Sequence, residues 1–145
     1  MRLSTKGRYA VMAMVDLARQ GGERAVCLAE IAERQDISLS YLEQLFAKLR
    51  RRGLVQSARG PGGGYRLART AADTPISEIV LAVDEPLKVI RCAGGAQGCL
   101  PGGVRCATHD LWEALGRQIY QFLASVSLAD VVDGRLAPET TSKAA

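Results

Sequence analysis

The feature that restricts the fold most is a glycine-rich segment in the first half of the chain, residues 60–64, with the sequence GPGGG. Glycine and proline interrupt helices, so this segment has to form a turn. Short apolar segments at residues 54–57 and 65–68 flank it, a pattern typical of two paired strands. The sequence therefore predicts a β-hairpin.

Three amphipathic segments precede the hairpin and predict helices, because apolar residues recur in them at intervals of three and four. We expect these helices at residues 5–20, at residues 28–35, and from residue 38 or 40 to residue 52. The expected inward-facing residues are Val11, Met14, Val15 and Ala18 in the first helix, Leu28, Ile31 and Ala32 in the second, and Leu42, Leu45, Phe46 and Leu49 in the third. Two short helices joined by a tight turn are typical of a helix-turn-helix. Together with the hairpin they predict a mainly α winged helix-turn-helix.

The second half of the chain predicts further helices around an irregular loop. Thr74 is the expected N-cap of a short helix that has Pro75 at its first position and ends near residue 83. Residues 86–107, rich in glycine, form the loop, and a long helix from about residue 108 to 126 precedes a short one at residues 128–132. We expect four parts: a DNA-binding domain (1–70), a linker helix with a cysteine-rich loop (71–107), a dimerisation helix with a docking helix (108–132), and a disordered tail (133–145).

Charge is distributed unevenly along the chain. Residues 1–69 hold 13 Lys and Arg against 6 Asp and Glu, and residues 48–69 hold seven basic side chains and no acid. Such a segment attracts a polyanion, and double-stranded DNA is the first candidate. On charge alone, a solvated helix end followed by a basic loop explains the pattern equally well.

Three cysteines and the only histidine of the chain lie within 18 residues of each other: Cys92, Cys99, Cys106 and His109. Neither a secretory signal nor a membrane span is recognisable, so we expect a cytoplasmic protein, in which cysteines bind metal or do redox chemistry. Zinc accepts three thiolates and an imidazole, but its structural sites favour closer ligand pairs. The wider spacing favours an iron–sulfur cluster.

The fourth cysteine, Cys27, lies far from the other three in the sequence. We expect it to be buried and to pack like a small apolar residue.

Three motifs resemble the IscR family of winged-helix transcriptional regulators: residues 1–10 (MRLSTKGRYA), 37–46 (ISLSYLEQLF) and 59–65 (RGPGGGY). The resemblance extends to about residue 132. It implies a [2Fe–2S] cluster held by the three cysteines and His109 and supplied by the iron–sulfur assembly machinery. It also implies that the cluster-bound form represses cluster-assembly genes, whereas the cluster-free form binds a second class of promoters.

The chain departs from the family pattern in its two cysteine gaps, which are each one residue longer, and this affects the loop conformation more than the ligands. A sister branch of nitric oxide sensors carries an aspartate where this chain has Arg8. Such a sister regulator, responsive to iron or nitric oxide through another cluster, remains an alternative, as does a zinc-stabilised structural module. A redox enzyme would need a CxxC pair, which the sequence lacks, so we do not expect an enzyme.

The residues expected to contact DNA lie on the third helix and in the hairpin. They are Ser38, Ser40, Tyr41, Glu43, Gln44, Lys48, Arg51, Arg59, Gly60, Gly62, Gly63 and Gly64. Gln44 can form paired hydrogen bonds with adenine, and Glu43 can accept from the cytosine amino group. Arg59 at the hairpin tip suits a narrow minor groove. Glu43 has a second interpretation, since Ser40 and Glu43 match a capping box. In the IscR family the matching glutamate is implied to discriminate between classes of sites.

An apolar row on the long helix predicts the dimer. Trp112, Leu115, Ile119, Phe122 and Val126 recur at alternating intervals of three and four. Such a row could pack within one chain, but the winged domain already has its own core. We therefore expect a two-fold helix–helix interface and a homodimer that binds promoter pseudo-palindromes.

Overall fold

The computed structural model describes residues 4–22, 24–83, 100 and 102–136. Within these residues the chain forms six α-helices, one 3₁₀ helix and a two-stranded antiparallel sheet. In chain order the elements are α1 (Thr5–Gly21), α2 (Leu28–Gln35), α3 (Leu39–Arg51), β1 (Val55–Ala58), β2 (Gly64–Leu67), the 3₁₀ helix (Ala71–Asp73), α4 (Ile76–Ala82), α5 (His109–Ser125) and α6 (Leu128–Val132). The predicted winged helix-turn-helix is confirmed. No helix in these ranges is long and apolar enough to cross a membrane.

Helix α1 lies at the centre of the core and packs against α2, α3, β2, α4 and α6. Its most deeply buried apolar residues are Ala10, Ala13, Met14 and Leu17. Of the four residues predicted to face inward, Met14 is buried, whereas Val11, Val15 and Ala18 are half-buried at the edge of the core. The small alanines, which the pattern missed, allow neighbouring elements to approach α1 closely.

A tight turn joins α2 to α3. Asp36 has a left-handed backbone conformation with φ of 53°, which aspartate tolerates better than most residues. The amide of the buried Ile37 then donates to the Ala32 carbonyl at 3.0 Å. In α3 the predicted apolar row is confirmed, because all four of its residues are buried. This arrangement turns the opposite face of α3 to the outside.

Helix α3 ends where the sequence predicts, at a glycine. Gly53 has φ of 73°. Its amide donates to the Arg50 carbonyl at 3.0 Å, and the Leu54 amide donates to the Leu49 carbonyl at 3.0 Å. These two bonds form a Schellman motif, which satisfies the last carbonyls of the helix and leads the chain directly into β1.

Strands β1 and β2 pair antiparallel, from Val55 opposite Leu67 to Ala58 opposite Gly64. Val26, which precedes α2, adds a bridge on the other side of β2, with two hydrogen bonds of 2.8 Å to the backbone of Tyr65. A Cβ atom at Gly64 would overlap the Val26 carbonyl. Glycine is therefore required there because two backbones approach closely.

The start of α4 differs from the prediction. The helix begins at Ile76 with Pro75 as its N-cap, and the Thr74 hydroxyl donates to the Thr70 carbonyl at 2.9 Å, so it does not cap the helix. The Ile76 amide donates to the Val126 carbonyl at 2.9 Å. This bond joins the start of α4 to the end of α5, which the local sequence could not reveal.

Cys27 is exposed, so the prediction that it is a buried apolar residue is wrong. It is the N-cap residue of α2 and has an extended backbone. Its neighbours Val26 and Leu28 are buried. Since side chains alternate along an extended segment, burial of Val26 turns Cys27 outward.

A buried carboxylate ties α1 to α2. Asp16, whose side chain is 3% exposed, accepts from Arg34 Nη2 at 2.7 Å, from Arg34 Nε at 3.0 Å, and from Gln35 Nε2 at 2.8 Å. Burial by itself raises the pKa of Asp16, but the hydrogen bonds from Arg34 and Gln35 and the Arg34 charge outweigh it and hold the pKa below its ordinary value. The ionised form is therefore the one that stabilises the fold.

Asp16→Asn should lower the free energy of unfolding by about 1.5–3 kcal/mol at pH 7, because it removes charge-assisted hydrogen bonds. The contribution of Asp16 is complete above the pKa of the unfolded chain, near 4, and is lost as the pH falls through the lower folded-state pKa. Urea unfolding at pH 7 and pH 3 should therefore give a smaller difference between variant and wild type at pH 3.

Asp133→Asn is the control, since Asp133 pairs with Arg135 on the surface and is half-exposed. It should change stability by less than about 0.5 kcal/mol at either pH. Equal effects of the two substitutions would contradict the role given to Asp16.

Candidate functional site

The outer face of α3 carries the residues predicted to contact DNA. Ser38, Ser40, Glu43, Gln44 and Arg51 are exposed, whereas Tyr41 and Lys48 are half-buried. The buried row on the opposite face fixes α3 against α1 and β1. A polar helix face held on a core in this way can enter a major groove, where the side chains of its first turns meet base edges. The individual DNA contacts stay predictions.

The capping-box interpretation of Glu43 is wrong. Ser38 is the N-cap of α3, and its hydroxyl oxygen accepts from the Tyr41 amide at 3.4 Å. Ser40 lies inside the first turn, where its hydroxyl is 2.9 Å from that of Ser38. The cap lies two residues before the predicted one because the Asp36 turn already sets the direction of the helix. Glu43 therefore has no part in the cap, and its carboxylate is exposed.

Tyr41 is held by a contact that the sequence did not predict. Its ring meets the ring of Tyr9 edge to face, with centroids 6.0 Å apart. The contact places the first turns of α1 beside the first turn of α3. Lys6 and Arg8, on those turns of α1, are exposed.

The hairpin tip presents Arg59, which is exposed. The turn beyond it requires glycine at Gly60 and Gly62, with φ of 96° and 74°. A Cβ atom at Gly63 would lie 2.6 Å from the Ala58 carbonyl oxygen. Glycine therefore shapes the hairpin, and its tip, with Arg59 beside it, is exposed.

The structure describes two of the four predicted cluster ligands; Cys92 and Cys99 lie outside the described residues. Cys106 is half-buried, with its sulfur 3.7 Å from the Thr108 hydroxyl. His109 is buried and is the first residue of α5, and its amide donates to the Cys106 carbonyl at 3.1 Å. A thiol and an imidazole at the positive end of a 17-residue helix suit an anionic metal cluster. The donors that the structure describes therefore fit the predicted group.

Two acidic residues lie beside His109. One ligand atom from each of His109, Asp110 and Glu113 lies within 4.8 Å of the others. Glu113 Oε2 is 3.9 Å from His109 Nε2, whereas Asp110 is 3.7 Å from Arg105 Nη1. The spacing of four residues between His109 and Glu113 could have revealed their contact.

The apolar row of α5 is partly exposed in the part of the chain that the structure describes. Phe122 is 53% exposed and Leu115 is also exposed, while Trp112 and Ile119 are half-buried. Val126 differs, because it is 5% exposed and belongs to the core of the single chain. Burial in the core leaves it little surface for a partner, a distinction that the interval pattern could not make.

The comparisons with known proteins agree on one family. The Rrf2 model, described as an iron-dependent transcriptional regulator, matches residues 3–134. The chain is 53% identical over 135 residues to the HTH-type transcriptional regulator IscR of Photorhabdus laumondii, covering 93% of this chain and 81% of the relative. The family model and this relative both describe transcriptional regulators, and each match covers most of the chain.

Two solved structures share the fold. T. potens IscR matches with a TM-score of 0.75 at 40% identity, covering 92% of this chain and 88% of that chain. CymR, the global cysteine regulator of B. subtilis, matches with a TM-score of 0.78 at 31% identity, covering 92% and 98%. Because regulators named for different roles share this fold, the signal has to be inferred from the site.

Gln44→Ala should weaken binding to a selected site by about 1–3 kcal/mol and leave binding to a scrambled duplex nearly unchanged, because it removes a base contact. Fluorescence anisotropy at one fixed salt concentration measures both affinities, with the site first selected from a random duplex library.

Gln20→Ala, at the exposed end of α1, is the matched control and should change neither affinity. Arg59→Ala should weaken binding to every selected site, because it removes a contact in the minor groove that depends on groove width and not on base identity. An equal loss for Gln44→Ala on selected and scrambled DNA would exclude base recognition by this residue.

Proposed function

The chain belongs to the Rrf2 family of transcriptional regulators, and from this membership we propose that it is a cytoplasmic homodimer that controls transcription through a [2Fe–2S] cluster. Like its relatives, it is a DNA-binding transcriptional regulator and not an enzyme. Family membership is the starting point, and the [2Fe–2S] cluster, the homodimer and the controlled genes are what we propose beyond it.

One observation carries the proposal: α5 contains both the candidate ligand His109 at its first residue and the exposed apolar row. Cys106 lies immediately before the helix. A ligand set at one end of a helix that also forms a dimer interface would connect occupancy of the site to the arrangement of the two subunits. A structural zinc module would not need that connection.

We assign Cys92, Cys99, Cys106 and His109 as the ligands of the cluster. When bound, the cluster would supply a covalent link between these residues and a charge that depends on its oxidation state. Cys106 and His109 would fix the cluster to the start of α5, and Cys92 and Cys99 would bring the rest of the 86–107 segment to it. Ligation would therefore restrict that segment next to the dimer helix.

Each subunit would contribute one recognition helix and one hairpin to DNA. Gln44 and Glu43 would contact bases, Lys48 and Arg51 would contact phosphates, and Arg59 would enter the minor groove. Two such units related by a two-fold axis would bind a pseudo-palindrome with half-sites about one helical turn apart. Glu43 would disfavour sites that offer it no hydrogen-bond donor.

The genes that the protein would control can be inferred from the signal that it would sense, the supply of iron–sulfur clusters. A regulator whose cluster comes from the iron–sulfur assembly machinery would report on the capacity of that machinery. We propose that the cluster-bound form represses the cluster-assembly genes and that the cluster-free form retains a second class of promoters. In this scheme residues 1–70 bind DNA, residues 71–107 hold the linker helix and most ligands, residues 108–132 dimerise and dock, and residues 133–145 form a tail.

Cys106→Ala should abolish the visible absorbance and the acid-labile sulfide of anaerobically purified protein, because it removes one of the thiolates that hold the cluster. His109→Ala should lose less, since three thiolates would remain. Iron, sulfide and zinc analysis of the same samples measures the outcome.

Cys27→Ala is the control, because this cysteine is exposed at the start of α2, outside the proposed ligand set. It should leave the cluster intact. A colourless wild-type protein with one zinc per chain would favour the structural zinc module and would overturn the proposed sensing mechanism.

Phe122→Asp should convert the dimer to a folded monomer, since a charge at the centre of an apolar interface is not paired there. Phe122 is 53% exposed in the single chain, so the substitution should leave the monomer fold intact. Sedimentation equilibrium and circular dichroism measure the two properties.

Gln121→Asp introduces the same side chain at the neighbouring exposed position, away from the apolar row. It should remain dimeric. If Phe122→Asp also stays dimeric at micromolar concentration, the α5 interface is wrong.

A further inference from the structure

We propose that Glu113 is a positioning residue for the cluster ligand His109: it holds Nε2 of the imidazole, so that Nδ1 is the nitrogen that binds iron. The inference rests on the proposed cluster function. It concerns the orientation of one ligand and leaves the identity of the four ligands unchanged.

The geometry singles out Glu113. It lies one helical turn after His109, and its Oε2 atom is 3.9 Å from Nε2 of the ring. The His109 side chain is 6% exposed, while that of Glu113 is 41% exposed. The buried ring has little room to move, whereas the more exposed carboxylate can adjust to hydrogen-bonding distance.

A metal-bound imidazole needs such a partner. When one ring nitrogen binds a metal, the other carries a proton, and in a buried ring that N–H group requires an acceptor. Carboxylates commonly accept this hydrogen bond, which fixes the tautomer and the orientation of the ring. Glu113 Oε2 lies 3.9 Å from Nε2, and a small side-chain movement would bring it within hydrogen-bonding distance of this nitrogen. We therefore infer that Nε2 is the donor and that Nδ1 is the ligand.

Asp110 is a matched comparison because it carries the same charge in the same part of α5. Its side chain is 90% exposed and is 3.7 Å from Arg105. A carboxylate could act on the cluster through charge alone, and in that case Asp110 and Glu113 would act alike. An Asp110 oxygen also lies within 4.8 Å of His109, but the Asp110 carboxylate pairs with Arg105, whereas Glu113 Oε2 is 3.9 Å from Nε2. A positioning role therefore predicts a larger effect at Glu113 than at Asp110.

The ligating nitrogen can be measured directly, because the chain contains one histidine. Full-length protein with a chemically reduced cluster is prepared with histidine labelled with ¹⁵N at Nδ1 only or at Nε2 only, and pulsed electron paramagnetic resonance records the hyperfine coupling. The strong coupling should come from the Nδ1 label. A strong coupling from the Nε2 label would overturn the proposal.

Cluster retention separates positioning from charge. Glu113→Ala should lose its cluster to a chelator about 10–100-fold faster than wild type, the usual cost of removing such a partner. Glu113→Gln retains an acceptor oxygen and should stay close to wild type, as should Asp110→Asn. If Glu113→Gln and Asp110→Asn lose the cluster as fast as Glu113→Ala, charge alone is responsible and the proposal fails.

Failure of the cluster function itself would look different. Wild-type protein would then take up neither iron nor sulfide, and the proposed function would be wrong. Nuclear magnetic resonance of the ¹⁵N-histidine-labelled metal-free protein still tests the contact. Exchange of the Nε2 proton with water should be slower in wild type than in Glu113→Ala, and equal exchange rates would show that Glu113 does not hold the ring.

Discussion

Helix α1 is the element on which both halves of the structure pack. It contacts α2, α3 and β2 of the N-terminal half, and also α4 and α6 of the C-terminal half. Ala10 and Ala13 are fully buried and keep these neighbours close to its axis. Because a close-packed interior does not deform continuously, the recognition helix and the C-terminal helices cannot shift past α1 without repacking this core. Helix α5, which carries the candidate cluster site, packs against α4, so α4 and α1 lie between that site and the proposed DNA-binding face of α3.

The parts of the fold that local sequence determines could be predicted from the sequence. The apolar row of α3 has the helical interval, and its end is marked by Gly53, which adopts the left-handed conformation that a Schellman motif needs. The hairpin follows from its glycines in the same way. Membership of the family was also recognisable, because short motifs of residues 1–10, 37–46 and 59–65 carry it.

The features that tertiary contacts determine could not be predicted. The contact face of α1 follows its alanines, and Cys27 is turned outward by the pairing of Val26 with Tyr65. The cap of α3 is Ser38 because the Asp36 turn sets where the helix starts, although Ser40 matches the capping motif equally well. Each of these depends on contacts between residues far apart in the sequence or on backbone angles that composition does not encode.

Helix α5 physically connects the two features that the proposed mechanism couples, the cluster ligands and the dimer interface. At about 1.5 Å per residue its 17 residues extend about 25 Å. Its C-terminal end is fixed, because the carbonyl of the buried Val126 accepts from the Ile76 amide and Val126 belongs to the core. Its N-terminal end carries His109 and Glu113. A ligand held at that end would therefore bias the direction of a helix anchored at the other. With a partner helix against the row that includes Phe122, the bias would reach both recognition helices, as small shifts at packed interfaces do in other regulators.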